Sequence, residues 1–202
     1  MKRIAVVVAA IGAAVPVGAS AGSASTVREA ATCAASPEQT EGPYYTANPP
    51  RRANLVTAKD VGTRMVLSGR VLDTKCRPVV GARVDFWQAD GKGVYDNSGY
   101  RFRGYQLTTK GGRYRLVTVV PGQYPGRTEH IHVKVTPPGG ATLTTQLYFP
   151  NSDTNDGDGI FDPKLVIRLS TVKKPWRATF TFIVRGSTGG RTTAEPGTPP
   201  SF

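Results

Sequence analysis

The sequence predicts an all-β fold: a single-domain antiparallel β-sandwich preceded by an extended N-terminal arm. Three observations predict it. Helical periodicity is nearly absent, Gly and Pro (23 and 16 of the 202 residues) punctuate the chain throughout, and the intervening runs are short and alternate with period two.

The first 21 residues read as an export signal and not as part of that fold. Lys2 and Arg3 give a positive start, Ile4 to Val17 an apolar run, and Ala19-Ser20-Ala21 a small-residue cleavage site. The run is interrupted by Gly12 and Pro16 and is too short to cross a bilayer comfortably. The expectation is a secreted or periplasmic protein, cleaved near Ala21, with no stable membrane association.

Residues 22–64 read as the arm, with short turns at TEGPYY (40–45) and NPPRR (48–52). The sandwich is expected over 65–185. Met65 to Asp73 reads as a strand, with Ala82 to Ala89 as its partner beyond the turn TKCRPVVG. Gly104 to Thr109 and Arg113 to Val119 flank Lys110-Gly111-Gly112, where glycines can take positive φ, so a hairpin is expected. Glu129 to Thr136 alternates strictly: His130, His132 and Lys134 face one side, Ile131, Val133 and Val135 the other. Leu143 to Phe149 and Arg177 to Val184 supply further strands. The tail over 186–202 has almost no apolar residues and is expected to be disordered.

The formal net charge is +12, two units of it on Lys2 and Arg3. Such basicity suits nucleic acid, a membrane surface or acidic small molecules. Lys and Arg are scattered along the chain, however, and export argues against a nucleic-acid partner. A solubilising surface charge is the expectation. Cys33 and Cys76 are the only cysteines. In an oxidising compartment they are expected to pair, tying the arm to the first hairpin and contributing about 4 kcal/mol by loop closure.

Both histidines of the chain lie in PGQYPGRTEHIHVKV (121–135). On a strand, His130 and His132 project from one face about 7 Å apart and can converge on one ion. Alone, such a pair is weak, since many strands carry one on a solvated face, and zinc, copper, nickel and iron all accept imidazole. With no third histidine and the cysteines paired, the remaining ligands must be oxygen. Tyr124, in the turn before the histidine strand, and Tyr95, closing WQADGKGVY, are placed to supply it, with Tyr100 and Tyr105 as rivals for the second role. Phenolates favour a hard trivalent cation, which points to Fe(III).

These residues carry a family resemblance. PGQYPGRTEHIH resembles the signature of the intradiol ring-cleavage dioxygenases, the protocatechuate and catechol dioxygenases. TEGPYY (40–45), RPVVGARVDFWQADGKGVY (77–95) and TTQLYFP (144–150) agree in order and spacing. The resemblance spans roughly residues 36 to 150 and implies a non-haem Fe(III) cofactor, with a small aromatic diol and O2 as substrates and a muconate-type diacid as product. It makes Tyr95 and His132 equatorial ligands and Tyr124 and His130 axial ones. Tyr124 would also act as internal base, Arg127 would stabilise negative charge on the ring, and Gln146 would line the pocket. Members that cleave protocatechuate usually have Trp where Gly126 stands, which implies a pocket opened on that side. The chain resembles more closely the exported, single-domain branch of the family.

Two other readings compete. Asp153 to Gly159 (DTNDGDG) resembles a calcium loop, but position twelve would be Lys164 and not glutamate, so a polar turn is expected. The stretch VLDTKCRPVVGARV also occurs in transthyretin-like and carboxypeptidase-regulatory-like sandwiches, giving the alternative of a non-catalytic binding module. The two tyrosines and two histidines together argue against it.

Overall fold

The computed structural model describes residues 31–171 and 173–186. The expected signal (1–21), the start of the arm and the tail beyond Gly186 lie outside the described residues. Eight strands form: β1 (Arg64–Asp73), β2 (Arg83–Trp87), β3 (Arg103–Leu107), β4 (Arg113–Val119), β5 (His130–Thr136), β6 (Leu143–Tyr148), β7 (Arg168–Thr171) and β8 (Trp176–Val184). They make two four-stranded sheets, β4-β1-β8-β7 and β3-β2-β5-β6, packed face to face. Each sheet has one apolar face, which only the other sheet can cover. Met65, Leu67, Val71, Tyr114, Leu116 and Phe182 from the first meet Val84, Phe86, Ile131, Val133, Val135 and Leu147 from the second, all buried.

Two expected pairings are corrected. β1 and β2 are not partners: β1 pairs with β4 and β8, and β2 with β3 and β5. The intervening chain crosses the sandwich edge, with the Val79 amide donating to the Val71 carbonyl (2.9 Å) and Val79 and Ala82 entering the core. Nor do β3 and β4 form a hairpin. The Lys110–Gly112 turn carries the chain from one sheet to the other, with Gly111 and Gly112 at φ 76° and 68°. A Cβ on Gly112 would stand 2.3 Å from the Val71 carbonyl oxygen, so only glycine lets this corner lie on β1. The antiparallel expectation holds for every strand pairing except β1–β8, which is parallel. β7, too short to show a pattern, was not anticipated.

The arm is extended and bonded to both sheets. The Ser36 amide donates to Ile183, Gln39 to Thr144, Arg52 to Tyr105 and Leu55 to Val117. Cys33 and Cys76 are joined in a disulfide, 43 positions apart in sequence, which fixes the arm to the turn after β1. Among the described residues, no helix is long and apolar enough to cross a membrane.

Candidate active site

β5 is buried on both faces for different reasons. Its inner side chains fill the core, while His130 and His132 point out of the sandwich and are still only 3% and 1% exposed. Cross-strand register explains part of that cover: His132 lies between Trp87 on β2 and Gln146 on β6, and His130 opposite Tyr148. The Trp87 indole stacks on the His132 ring at 4.9 Å and 8°. The arm roofs the rest. Gly42 passes so close that a Cβ there would meet His132 at 3.2 Å.

The two imidazoles converge. His130 Nδ1 donates to the Thr128 carbonyl (2.6 Å), so in the neutral ring Nε2 holds the lone pair. That Nε2 lies 3.1 Å from His132 Nε2, while the buried His132 Nδ1 has no hydrogen-bond partner. Burial lowers the His130 pKa to about 4, and burial plus its neighbour holds His132 well below the usual imidazole range. Both rings are therefore neutral at physiological pH, the state that ligates metals.

Two phenols complete the cluster. Tyr95 Oη is 3.4 Å from His130 Nε2. Its ring stacks on Tyr44 from the arm (4.4 Å) and meets Tyr124 nearly edge-on (5.8 Å). Two loops bring these tyrosines together by backbone contact. The Gly122 amide donates to the Asp90 carbonyl (2.8 Å), and Cβ atoms on Gly93 or Gly122 would come within 2.0 Å and 2.4 Å of the facing backbone. Burial, then the nearby Tyr124, pushes the Tyr95 phenol well above its ordinary pKa. Burial also raises Tyr124, and Arg127 opposes that rise.

Arg127 is held on three sides. It donates through Nε to Asp158 (2.9 Å), through Nη2 to Gln146 (2.6 Å) and through Nη1 to Tyr124 Oη (3.3 Å). Burial raises the Asp158 carboxyl pKa, but donation from the Ile160 and Thr128 amides and from Arg127 outweighs it and leaves the group lowered. Beside Tyr124 and Arg127 opens a cleft of about 530 Å³, lined by residues 123–127 and by Asp153, Thr154, Gly157 and Asp158. Gly126, at φ 79°, faces open space within 4 Å.

Tyr95, Tyr124, Arg127, His130, His132 and Gln146 are thus brought together. Tyr100 and Tyr105 are not: Tyr100 is 38% exposed and donates to Ala47, and Tyr105 lies under the Arg83 guanidinium. Gln146 is fully buried beside Arg127, from which its Oε1 accepts, with its amide donating to the Thr40 carbonyl. Sequence reasoning missed Trp87, Tyr44, Asp158 and the buried Arg103, which donates to the Tyr44 and Asp96 carbonyls and so braces Tyr95 from both sides. The expected polar turn at 153–159 supplies Asp158. Its acidic cluster was visible, but its reach to Arg127 was not. Among the described residues, no group of three or more His, Cys, Asp or Glu side chains is placed to hold a metal ion, so oxygen donors beside the imidazoles come from phenols.

The sandwich and its buried imidazole–phenol cluster define the dioxygenase class, and residues 40–175 match the family model described as Dioxygenase. The chain belongs to the intradiol ring-cleavage dioxygenase family. It is 31% identical over 150 residues to a hydroxyquinol 1,2-dioxygenase from Rhizobium sp., covering 61% of this chain and 50% of that protein. It is 34% identical over 119 residues to the protocatechuate 3,4-dioxygenase beta chain of Burkholderia cepacia, covering 50% and 51%. The chain spans about half the length of these curated relatives. Among solved structures, the dioxygenase domain of a dioxygenase carbohydrate-binding protein fusion from Streptomyces sp. SirexAA-E is 45% identical with TM-score 0.73, covering 75% of this chain and 99% of that one. An intradiol ring-cleavage dioxygenase from Tetranychus urticae is 26% identical with TM-score 0.69, covering 76% and 95%.

Proposed function

We propose that this chain is a non-haem Fe(III)-dependent intradiol dioxygenase that opens a catechol-type ring between its two hydroxylated carbons with O2, giving a muconate-type diacid. The observation that carries the reading is the meeting of two Nε2 atoms at 3.1 Å with the Tyr95 hydroxyl 3.4 Å from one of them. If His132 is protonated on Nδ1, two lone pairs face each other at that distance and Nδ1 is left without an acceptor. If it is protonated on Nε2, the Nδ1 lone pair is unsatisfied instead. A cation between the Nε2 atoms removes the repulsion in the first case, so the residues fit a metal. Two imidazoles with phenols, and no thiolate or carboxylate, suit ferric iron better than zinc or copper.

Tyr95, Tyr124, His130 and His132 would hold the iron. Fe(III) held there would supply the Lewis acidity that makes a catechol reactive towards O2. The chain's own contribution lies around it. Held as a phenolate by the iron, Tyr124 Oη, at the cleft and beside Arg127, would take a proton from a catechol hydroxyl. The Arg127 guanidinium, fixed by Asp158 and Gln146, presents a positive charge where negative charge develops on the ring. Trp87 and Gly42 keep the His132 ring in one orientation and exclude water from its far side. The pattern of residues 1–21 supports export to a secreted or periplasmic location, and the disulfide is consistent with an oxidising compartment.

Incubation of the ferric protein with catechol under ¹⁸O2 tests the reading. The expected product is a ring-opened diacid carrying label from both oxygen atoms. A colourless protein that leaves catechol intact after ferric loading would instead favour the non-catalytic binding module.

A further inference from the structure

The basic residues that look scattered in the sequence are gathered by strand register. On the face of the β4-β1-β8-β7 sheet turned away from the core, Arg113 lies opposite Arg70, and Arg70 opposite Thr181. In the next row Arg115 faces Ser68, Ser68 faces Thr179, and Thr179 faces Arg168. Arg177 follows one row on, opposite Val66. Rows stand about 7 Å apart and strands about 5 Å apart, so five guanidiniums share one face. All five are exposed, and none makes an ion pair among the described residues.

Three features distinguish this face from ordinary solubilising charge. Such charge mixes both signs, whereas the outward positions of these four strands hold no Asp or Glu. Like charges directly opposite on neighbouring strands are destabilising, yet Arg70 and Arg113 stand so. Finally, a cleft of about 420 Å³, lined by Val166, Arg168, Thr179, Phe180 and Thr181, opens at the edge of the same face.

We propose that this face binds an acidic polysaccharide. The cations on these positions are Arg and not Lys, which suits planar, bidentate recognition of carboxylates. The interleaved Ser68, Thr179 and Thr181 hydroxyls can bond sugar hydroxyls. Among the described residues, no aromatic or large apolar side chain on the face is exposed, and Phe180 at the cleft is half-buried, so the face has neither the stacking platform of single-stranded nucleic-acid binding nor the anchors of a membrane interface. The surface is separate from the imidazole–phenol cluster, which belongs to the other sheet.

The disulfide-intact protein, titrated with polygalacturonate, tests this. Binding is expected at low salt, weakening about tenfold or more between about 50 and 200 mM, with none to neutral dextran. The triple variant Arg70→Gln, Arg115→Gln, Arg168→Gln should bind about tenfold more weakly or worse, with catechol turnover unchanged. The triple variant Arg51→Gln, Lys59→Gln, Lys92→Gln, with equal charge loss elsewhere, should bind as the parent does. Arg70→Gln alone should hold or raise Tm, since it relieves repulsion with Arg113. Three results would overturn the proposal: no binding at low salt, equal weakening in both triple variants, or tighter binding to duplex DNA or phosphatidylglycerol vesicles than to polygalacturonate.

Discussion

The two sheets of this sandwich have similar inner faces and opposite outer ones. On β3-β2-β5-β6 the outward His130 and His132 of β5 are sealed under the arm and loops, among Trp87, Gly42 and Tyr95. On β4-β1-β8-β7 the outward Arg70, Arg113, Arg115, Arg168 and Arg177 stand uncovered. Strand alternation is the same in both. What differs is what lies on top: polar groups buried under a roof lose water and must find partners or a metal, whereas polar groups in the open keep their charge for something outside.

The largest effect should come from substituting the two faces of β5 separately. His132→Ala is expected to abolish iron retention and cut turnover roughly a thousandfold or more, about 4 kcal/mol of transition-state stabilisation, with the fold preserved. Ile131→Ala, one position away but facing the core, should cost about 2–5 kcal/mol of stability while the folded fraction keeps its iron. Iron content per folded molecule, from metal analysis alongside denaturant unfolding, checks both.

Next comes the roof. Reducing Cys33–Cys76 frees the arm that carries Gly42 and Tyr44, and should lower stability by about 4 kcal/mol. Unfolding with and without reductant measures it. The comparison would fail if reduction destabilised the core yet left catechol turnover of the folded protein untouched at every temperature.

Smaller again is Asp158→Asn, which removes the charge holding Arg127 while leaving its shape. A loss of about 10–100-fold in kcat is expected, with the iron-bound colour retained, because Asp158 bonds Arg127 and Thr128 and none of the four residues that would hold the iron. A steady-state kcat and KM comparison separates this from lost binding.

The smallest effect concerns acid stability. Burial raises the Asp73 carboxyl pKa, but bonds from the Arg77 side chain and backbone and from the Lys75 amide outweigh it, so the folded value is lowered. Its contribution is therefore present above the unfolded carboxylate pKa, near about 4, and is lost as pH falls through the lower folded value. Asp73→Asn should flatten the acid limb of the stability profile by about 1 kcal/mol or less.

Much of the sandwich was legible because β5 alternates cleanly and β1 is a short, largely apolar run bounded by a turn, and the six site positions sit in short motifs that fix their order. Pairing was less legible. The Val79 crossing and the Gly111-Gly112 corner each turn the chain over the sandwich edge, and a run such as TKCRPVVG reads equally well as a hairpin. The roles of Asp158, Trp87 and Arg103 stayed hidden because each is brought to the cluster by tertiary contact, which no local pattern marks. The arginine face was hidden for the same reason, its members being spread over four strands that meet only through register.

The most direct test of the account is the colour of the ferric protein in three Phe variants. Tyr95→Phe and Tyr124→Phe each remove one oxygen and keep the ring, so packing should change little. If both tyrosines hold the iron, the parent shows a visible tyrosinate-to-Fe(III) charge-transfer band that shifts on adding catechol, each of these variants alters the band and depresses turnover, and Tyr100→Phe leaves both unchanged. A protein bleached by Tyr100→Phe but not by Tyr95→Phe, or one with no such band after ferric loading, would contradict it.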